Sequence, residues 1–233
     1  MDKAVQVWCV PLSVSEELVA QYAQCLSEDE QHRAARFRFE ADRRKFVVAR
    51  GVLRHLLSER LGCGAIALTF DYGKYGKPKT TVSPTKGHDF HFNLSHSGEV
   101  ALCALGGDRT VGVDIEKVRP IQRLESMMGR CLVEAEKAKV ISKPIDQRSH
   151  NFLRYWTCKE AYLKAIGVGL SQSMTTVEVD PSFSQLVEVP KGCQEGWHLY
   201  SLDLPETYVG ALVVAGKSAV EITHWQHFNL SER

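Results

Sequence analysis

Two blocks of helix-period pattern, each followed by a block of strand-period pattern, run one after the other along this 233-residue chain. Runs of helices and then strands, rather than strict alternation, build α+β layers instead of a doubly wound parallel sheet. The pattern therefore predicts two similar α+β halves, residues 1–112 and 113–233, joined near residue 112. A strand over 5–10 ends at Pro11. Ser15 is a candidate N-cap for a helix reaching Cys25. Ser27 heads Ser-Glu-Asp-Glu, a capping box closed by Glu30, which predicts a helix over 28–39. From Asp42 to Leu61 the residues Phe46, Ala49, Leu53, Leu56, Leu57 and Leu61 recur at helical spacing, and Gly62 is a candidate C-cap. Strands are predicted over 66–72, 90–94, 100–105 and 111–115, with a loop over 73–84. The second block reads as helix over 120–140, a polar stretch over 142–149, and helix from about 150 to Ile166 closed by Gly167. Strands then follow over 176–179, 197–202, 209–215 and 222–225.

Charge and cysteine content exclude several classes. The 29 Lys and Arg nearly cancel 28 Asp and Glu, unlike the basic excess of a dedicated nucleic-acid binder. No run of 18 apolar residues is present, and the N-terminal stretch lacks a small-residue cleavage site, so neither a membrane span nor a signal peptide is expected. Seven cysteines, at 9, 25, 63, 103, 131, 158 and 193, form no Cys-x-x-Cys pair. They read as reduced thiols of a cytoplasmic protein rather than a disulfide or zinc framework.

Two segments carry chemistry. In Gly112-Val-Asp-Ile-Glu116, strand alternation turns Asp114 and Glu116 to one face and Val113 and Ile115 to the other. Two carboxylates about 4 Å apart repel by roughly 4 kcal/mol at a near-surface effective dielectric. Either both face water or a cation offsets them. In Trp156-Thr-Cys-Lys-Glu-Ala-Tyr-Leu-Lys164, residues 156, 160 and 164 share one helical stripe. A Glu followed four residues later by Lys is ordinarily a solvated pair. The neighbouring Trp156, Tyr162 and Leu163 place this one in a cleft. Three carboxylates with a lysine beside one of them suit Mg²⁺, which prefers hard oxygen ligands and leaves room for phosphates.

Between Arg33 and Arg60 stand nine basic residues against three acidic ones. Arg43, Arg50 and Arg54 share a helix face, either a solvated face or a site for a small polyanion. Asn93-Leu-Ser-His-Ser97 offers hydroxyls and an imidazole but lacks the Gly-x-Ser-x-Gly elbow of hydrolases. Tyr75-Gly-Lys-Pro78 holds a lysine in a constrained turn. Neither a Walker A motif nor a Gly-x-Gly-x-x-Gly fingerprint is present.

Taken together, Gly76-Lys-Pro78, Asn93–Ser97, Gly112–Glu116 and Trp156–Lys164 resemble the 4′-phosphopantetheinyl transferases of the large, surfactin-synthetase-activating type. The motifs stand in that family's order, and the resemblance spans roughly residues 5–215. It implies a pseudo-twofold α+β fold in one monomeric chain with coenzyme A in the cleft between the halves. It implies transfer of phosphopantetheine to a serine of an apo acyl or peptidyl carrier protein, with release of 3′,5′-ADP. By the resemblance, Asp114, Glu116 and Glu160 are the Mg²⁺ ligands, with Mn²⁺ as an alternative. Glu160 is also the base, and Lys164 assists the leaving phosphate. Ser95 and His96 meet the coenzyme phosphates, Lys77 the adenine end and Lys159 the pyrophosphate. Arg44 and Lys45, with Arg43 as a third candidate, compete for the 3′-phosphate. One departure stands out. Family members often place lysines near Glu30 and Arg33, and here one of those places is acidic. A Mg²⁺-dependent hydrolase and an inactive carrier-binding homologue are the competing readings.

Overall fold

The computed structural model describes residues 4–82, 90–182, 185–188, 196–216 and 220–224. The first half runs β1 (Val5–Pro11), α1 (Glu16–Gln24), α2 (Glu28–Ala35), α3 (Glu40–Leu61), β2 (Phe70–Tyr72), β3 (Pro78–Thr80), β4 (His91–Ser97) and β5 (Val100–Gly107). The second runs β6 (Val111–Lys117), α4 (Leu124–Cys131), α5 (Glu134–Ile141), α6 (Ile145–Ile166), β7 (Glu178–Asp180), β8 (Gln185–Glu188), β9 (Trp197–Ser201) and β10 (Tyr208–Ala215). A last strand, β11 (Val220–His224), returns to pair in parallel with β1 of the first half.

Each half repeats one plan. The strands lie in the order β1-β5-β4 in one sheet and β6-β10-β9 in the other, antiparallel in both. Each carries a 22-residue helix, α3 or α6, ended by a glycine in the left-handed conformation, Gly62 or Gly167. Glycine serves there because it enters that region without the Cβ penalty. The apolar stripe of α3 packs into the first core with Val10, Tyr22, Phe92 and Cys103. Leu53 is wholly enclosed, and burying such a side chain is worth about 2 kcal/mol. The stripe of α6 faces a second core with Val177, Leu199 and Val213. Between the sheets a third apolar layer joins Val113 and Ile115 to Val5, Leu102 and Leu212.

Several sequence boundaries shift. The helix over 28–39 stops at Ala35, and a turn capped at Arg36 separates it from α3. The strand over 66–72 keeps only Phe70–Tyr72, because residues 65–67 wind into a 3₁₀ turn. The loop over 73–84 contains β3, and the helix over 120–140 is two helices. Helix α6 starts at Ile145, with Pro144 at its N-cap, so most of the polar stretch over 142–149 is its first two turns. Strand β8 has no counterpart in the sequence reading. Cys193 and Trp225 lie outside the described residues.

Candidate active site

The two halves meet where β4 runs beside β6. Polar residues at every second position of β4 grip the other strand. The Val113 amide donates to Asn93 Oδ1 at 2.8 Å, and Ser95 Oγ donates to Asp114 Oδ1 at 2.7 Å. Ser97 Oγ donates to Glu116 Oε2 at 2.8 Å and accepts from the Lys117 amide at 3.0 Å. This follows from the pleat, which sends residues 93, 95 and 97 to one face. Of these three residues, the family resemblance implies a role for Ser95 alone. The Asn-x-Ser-x-Ser period was the signal for the other two.

Helix α6 lies across β6 at the closest approach a backbone allows. A Cβ on Gly112 would stand 2.1 Å from the Ala161 carbonyl oxygen, so only glycine fits there. That approach brings Lys164 to the strand. Its Nζ donates to Asp114 Oδ1 at 2.6 Å, to Ser95 Oγ at 2.9 Å and to the Val113 carbonyl at 3.4 Å. The cation that offsets Asp114 is therefore Lys164, which bonds the strand acid rather than Glu160 on its own helix. The cation beside Glu116 is Arg119, absent from the sequence reading, whose Nη1 donates to Glu116 Oε2 at 2.7 Å.

Glu160 and Asp114 are both buried, at 6% and 5% exposure. Glu160 Oε1 and Asp114 Oδ2 are buried and have no hydrogen-bond partner among the described residues. Burial first, and then the Asp114 charge, push Glu160 up to about 7, against the pull of Lys164. Burial likewise raises Asp114, while Lys164 and Ser95 lower it. Asp114, Glu116 and Glu160 thus share one electrostatic field. As they stand, no three His, Cys, Asp or Glu side chains among the described residues are gathered tightly enough to enclose an ion. The two unpartnered carboxylate oxygens nevertheless fit a hard divalent cation, since a buried acceptor left bare is costly until something positive meets it.

His96, on β4, also feels the Lys164 charge. Crowding by protein comes first, and the charges of Lys164, Lys45 and Arg33 add to it, holding the imidazole below its ordinary value against Asp42. Lys45 pairs with Glu99 at 2.7 Å. Arg33 also lines a concave basin with Asp29, His32, Arg36 and Tyr72. Arg33 of α2 and Lys45 of α3 therefore add positive charge at His96, together with Lys164 of α6.

The remaining cationic expectations are redirected. Arg50 and Arg54 are neither solvated nor open to a ligand. Both bond buried Glu30, Arg54 Nε at 2.5 Å, and Arg54 Nη1 also donates to the Ala65 and Leu68 carbonyls. Glu30 is thereby a core partner, not a coenzyme contact. Arg43 pairs with Glu40, while Arg44 pairs with Glu16 at 3.2 Å and donates to the Val14 carbonyl at 2.9 Å. Lys159 is not open to a pyrophosphate: it is wholly enclosed, bonding Glu136 at 2.6 Å and the Met174 and Val177 carbonyls. Lys77 donates to the Val111 and Ala165 carbonyls, each at 2.9 Å.

Acids, hydroxyls and a lysine gathered where two like halves meet suit a transferase that handles a phosphorylated donor. Family models agree with that class. One described as the 4′-phosphopantetheinyl transferase superfamily matches residues 110–213, and one for the N-terminal part of 4′-phosphopantetheinyl transferase matches residues 13–106. The chain is 37% identical to the 4′-phosphopantetheinyl transferase HetI of Nostoc sp. over 216 residues, 93% of this chain and 90% of that protein. It is 28% identical to the 4′-phosphopantetheinyl transferase Sfp of Bacillus subtilis over 71% of each. Against the L-aminoadipate-semialdehyde dehydrogenase-phosphopantetheinyl transferase of Xenopus laevis it is 28% identical, over 94% of this chain and 75% of that one. The chain belongs to the 4′-phosphopantetheinyl transferase family, of the Sfp type. No described helix is long and apolar enough to cross a membrane.

Proposed function

We propose that this chain moves 4′-phosphopantetheine from coenzyme A to a serine hydroxyl of an apo acyl or peptidyl carrier protein, releasing 3′,5′-ADP, with Mg²⁺ held by Asp114, Glu116 and Glu160. The observation that carries this reading is the pair of unpartnered buried oxygens, Asp114 Oδ2 and Glu160 Oε1, on facing elements beside Lys164. Mn²⁺ offers the same oxygen preference. When bound, the ion supplies positive charge to pyrophosphate oxygens.

The chain's own residues do the rest. Glu160, buried with its Oε1 bare among the described residues, is the proton acceptor. It takes the carrier serine proton as the serine oxygen bonds to the β-phosphorus. The bond from that phosphorus to the bridging oxygen breaks, and 3′,5′-ADP leaves with the electron pair. Lys164, already fixed by Asp114 and Ser95, places a cation beside the charge that develops. Coenzyme A brings about four negative charges at neutral pH. His96 and Lys45 meet its phosphates, with Lys45 favoured over Arg43 and Arg44 for the 3′-phosphate because its charge reaches His96. One chain supplies both halves of the cleft, so the enzyme acts as a monomeric pseudodimer. Six described cysteines are free, which suits the reducing cytoplasm.

The test is a loading assay. Purified protein with coenzyme A, Mg²⁺ and an apo-carrier should add one phosphopantetheine to the carrier, seen by mass spectrometry, with equimolar 3′,5′-ADP. Release of 3′,5′-ADP at the same rate without carrier would make the chain a hydrolase instead. Asp114→Ala should weaken Mg²⁺ dependence more than coenzyme A binding, read by calorimetry with and without metal.

A further inference from the structure

The hairpin of β2 and β3 belongs to the first half and is fastened there. Arg50 Nη2 donates to the Tyr72 hydroxyl at 2.9 Å, Arg50 and Arg54 stack over the Phe70 ring, and Phe70 meets the Phe92 ring at 5.7 Å. Its turn is tight, with the Gly73 amide donating to the Lys77 carbonyl at 3.0 Å and Gly76 in the left-handed region. Pro78 follows Lys77 and biases it toward extended backbone. From this fixed base the Lys77 side chain leaves its own half. Its stem lies near Gly167, and its ammonium reaches two carbonyls of the other half.

Those carbonyls are telling. Ala165 is in the last turn of α6, where carbonyls lack helical donors and the helix end is negative. The bonds of the Gly167 and Val168 amides go to Lys164 and Leu163, so the Ala165 carbonyl is left for Lys77. Val111 opens β6, the strand that carries Asp114 and Glu116. One ammonium thus joins the end of the helix bearing Glu160 and Lys164 to the start of the strand bearing the other acids. It does so beside Gly112, where helix and strand touch.

We propose that Lys77 is a positioning residue: from the first half, it sets the register of α6 against β6 and with it the spacing of Glu160 and Lys164 from Asp114. The inference rests on the transferase reading above. Its energetic basis is charge-assisted donation to a helix end, a site where a cation is favoured. Burial lowers the Lys77 pKa to about 8, in keeping with an ammonium enclosed between elements rather than held out to a solvated phosphate.

Lys77→Met removes both donors while keeping the stem, and Lys77→Gln keeps a shorter one should the Met variant fail to fold. At a temperature well below melting, the expected result is a kcat for carrier loading at least about ten-fold lower, with coenzyme A Kd within about two-fold of the parent. Hydrogen exchange should rise in the last turn of α6 and at the start of β6. A ten-fold weaker coenzyme A Kd with unchanged kcat would make Lys77 a ligand contact and overturn the proposal. A lower melting temperature with unchanged kcat would reduce it to a structural brace and overturn it too. The exchange measurement decides the register claim even if the parent protein loads no carrier, since unchanged protection in the variant refutes it.

Discussion

The two halves of this molecule are built alike and equipped differently. In each, a glutamate near the start of a short helix accepts from the backbone amide three residues before it, Glu30 from Ser27 at 3.1 Å and Glu136 from Val133 at 3.0 Å. In each, that buried glutamate meets a cation eight residues before the C-capping glycine of the long helix, Arg54 or Lys159. One residue further along, the likeness ends. The place that holds Glu160 in α6 holds His55 in α3, and the place of Lys164 holds Glu59. The strand positions of Asp114 and Glu116 are Trp8 and Val10 in β1. His55 Nε2 lies 3.4 Å from Cys25 Sγ, and no acid faces it from β1. The shared pairs build the repeat, and the acids and lysine that the proposed chemistry uses stand on one copy of it. Sites are grafted onto a scaffold that would hold without them.

Breaking that asymmetry at its centre should have the largest effect. Glu160→Gln should slow carrier loading about a thousand-fold, the scale of a lost general base. His55→Gln, at the matching place, should stay within about three-fold. Equal losses from the two would erase the distinction between the halves. The same substitution should stabilise the metal-free protein in alkaline solution. A carboxyl raised to about 7 in the folded chain binds its proton more tightly than in the unfolded chain, where 4.5 is ordinary. Its contribution is therefore present at low pH and lost as pH rises toward 7. At pH 8 the Gln variant should melt higher than the parent by scanning calorimetry, and near pH 4 the gap should close.

The shared framework offers the next contrast. Glu136→Gln leaves Lys159 enclosed without its counter-charge and should cost about 3 kcal/mol in urea unfolding. Glu30→Gln should cost a similar amount, because Arg50 and Arg54 are left in the same position. A large cost in only one half would show that the framework, too, has diverged. Gly112→Ala should follow, at about 2 kcal/mol, since its Cβ would enter the Ala161 carbonyl. The matching residue in β1 is Gln6, which carries a full side chain. Arg119→Ala should have the smallest effect. Its pairing with Glu116 is half exposed, and such pairs contribute at most about 1 kcal/mol.

What was legible along the chain was mostly local. The Ser27–Glu30 capping signal, the buried stripe of α3 and the two glycine caps need only near neighbours in sequence, and the chain folds as they indicate. The Asp114/Glu116 alternation and the Glu160–Lys164 stripe were readable for the same reason. Family resemblance added their partnership, which spacing alone does not contain. The cations were the opposite case. Arg50, Arg54, Lys77 and Lys159 are long, flexible side chains whose partners lie elsewhere in the chain, in Glu30, in carbonyls of α6 and β6, or in Glu136.

By itself, then, the amino-acid order determined the periodicities, the caps and the doubled α+β plan. Only the tertiary structure decided which positive charges are enclosed as internal partners, because a lysine or arginine bonds wherever packing leaves a bare oxygen within reach of its stem. The same is true of Lys164. Its sequence neighbour is Glu160, but the close contact at Gly112 hands it to Asp114 on strand β6.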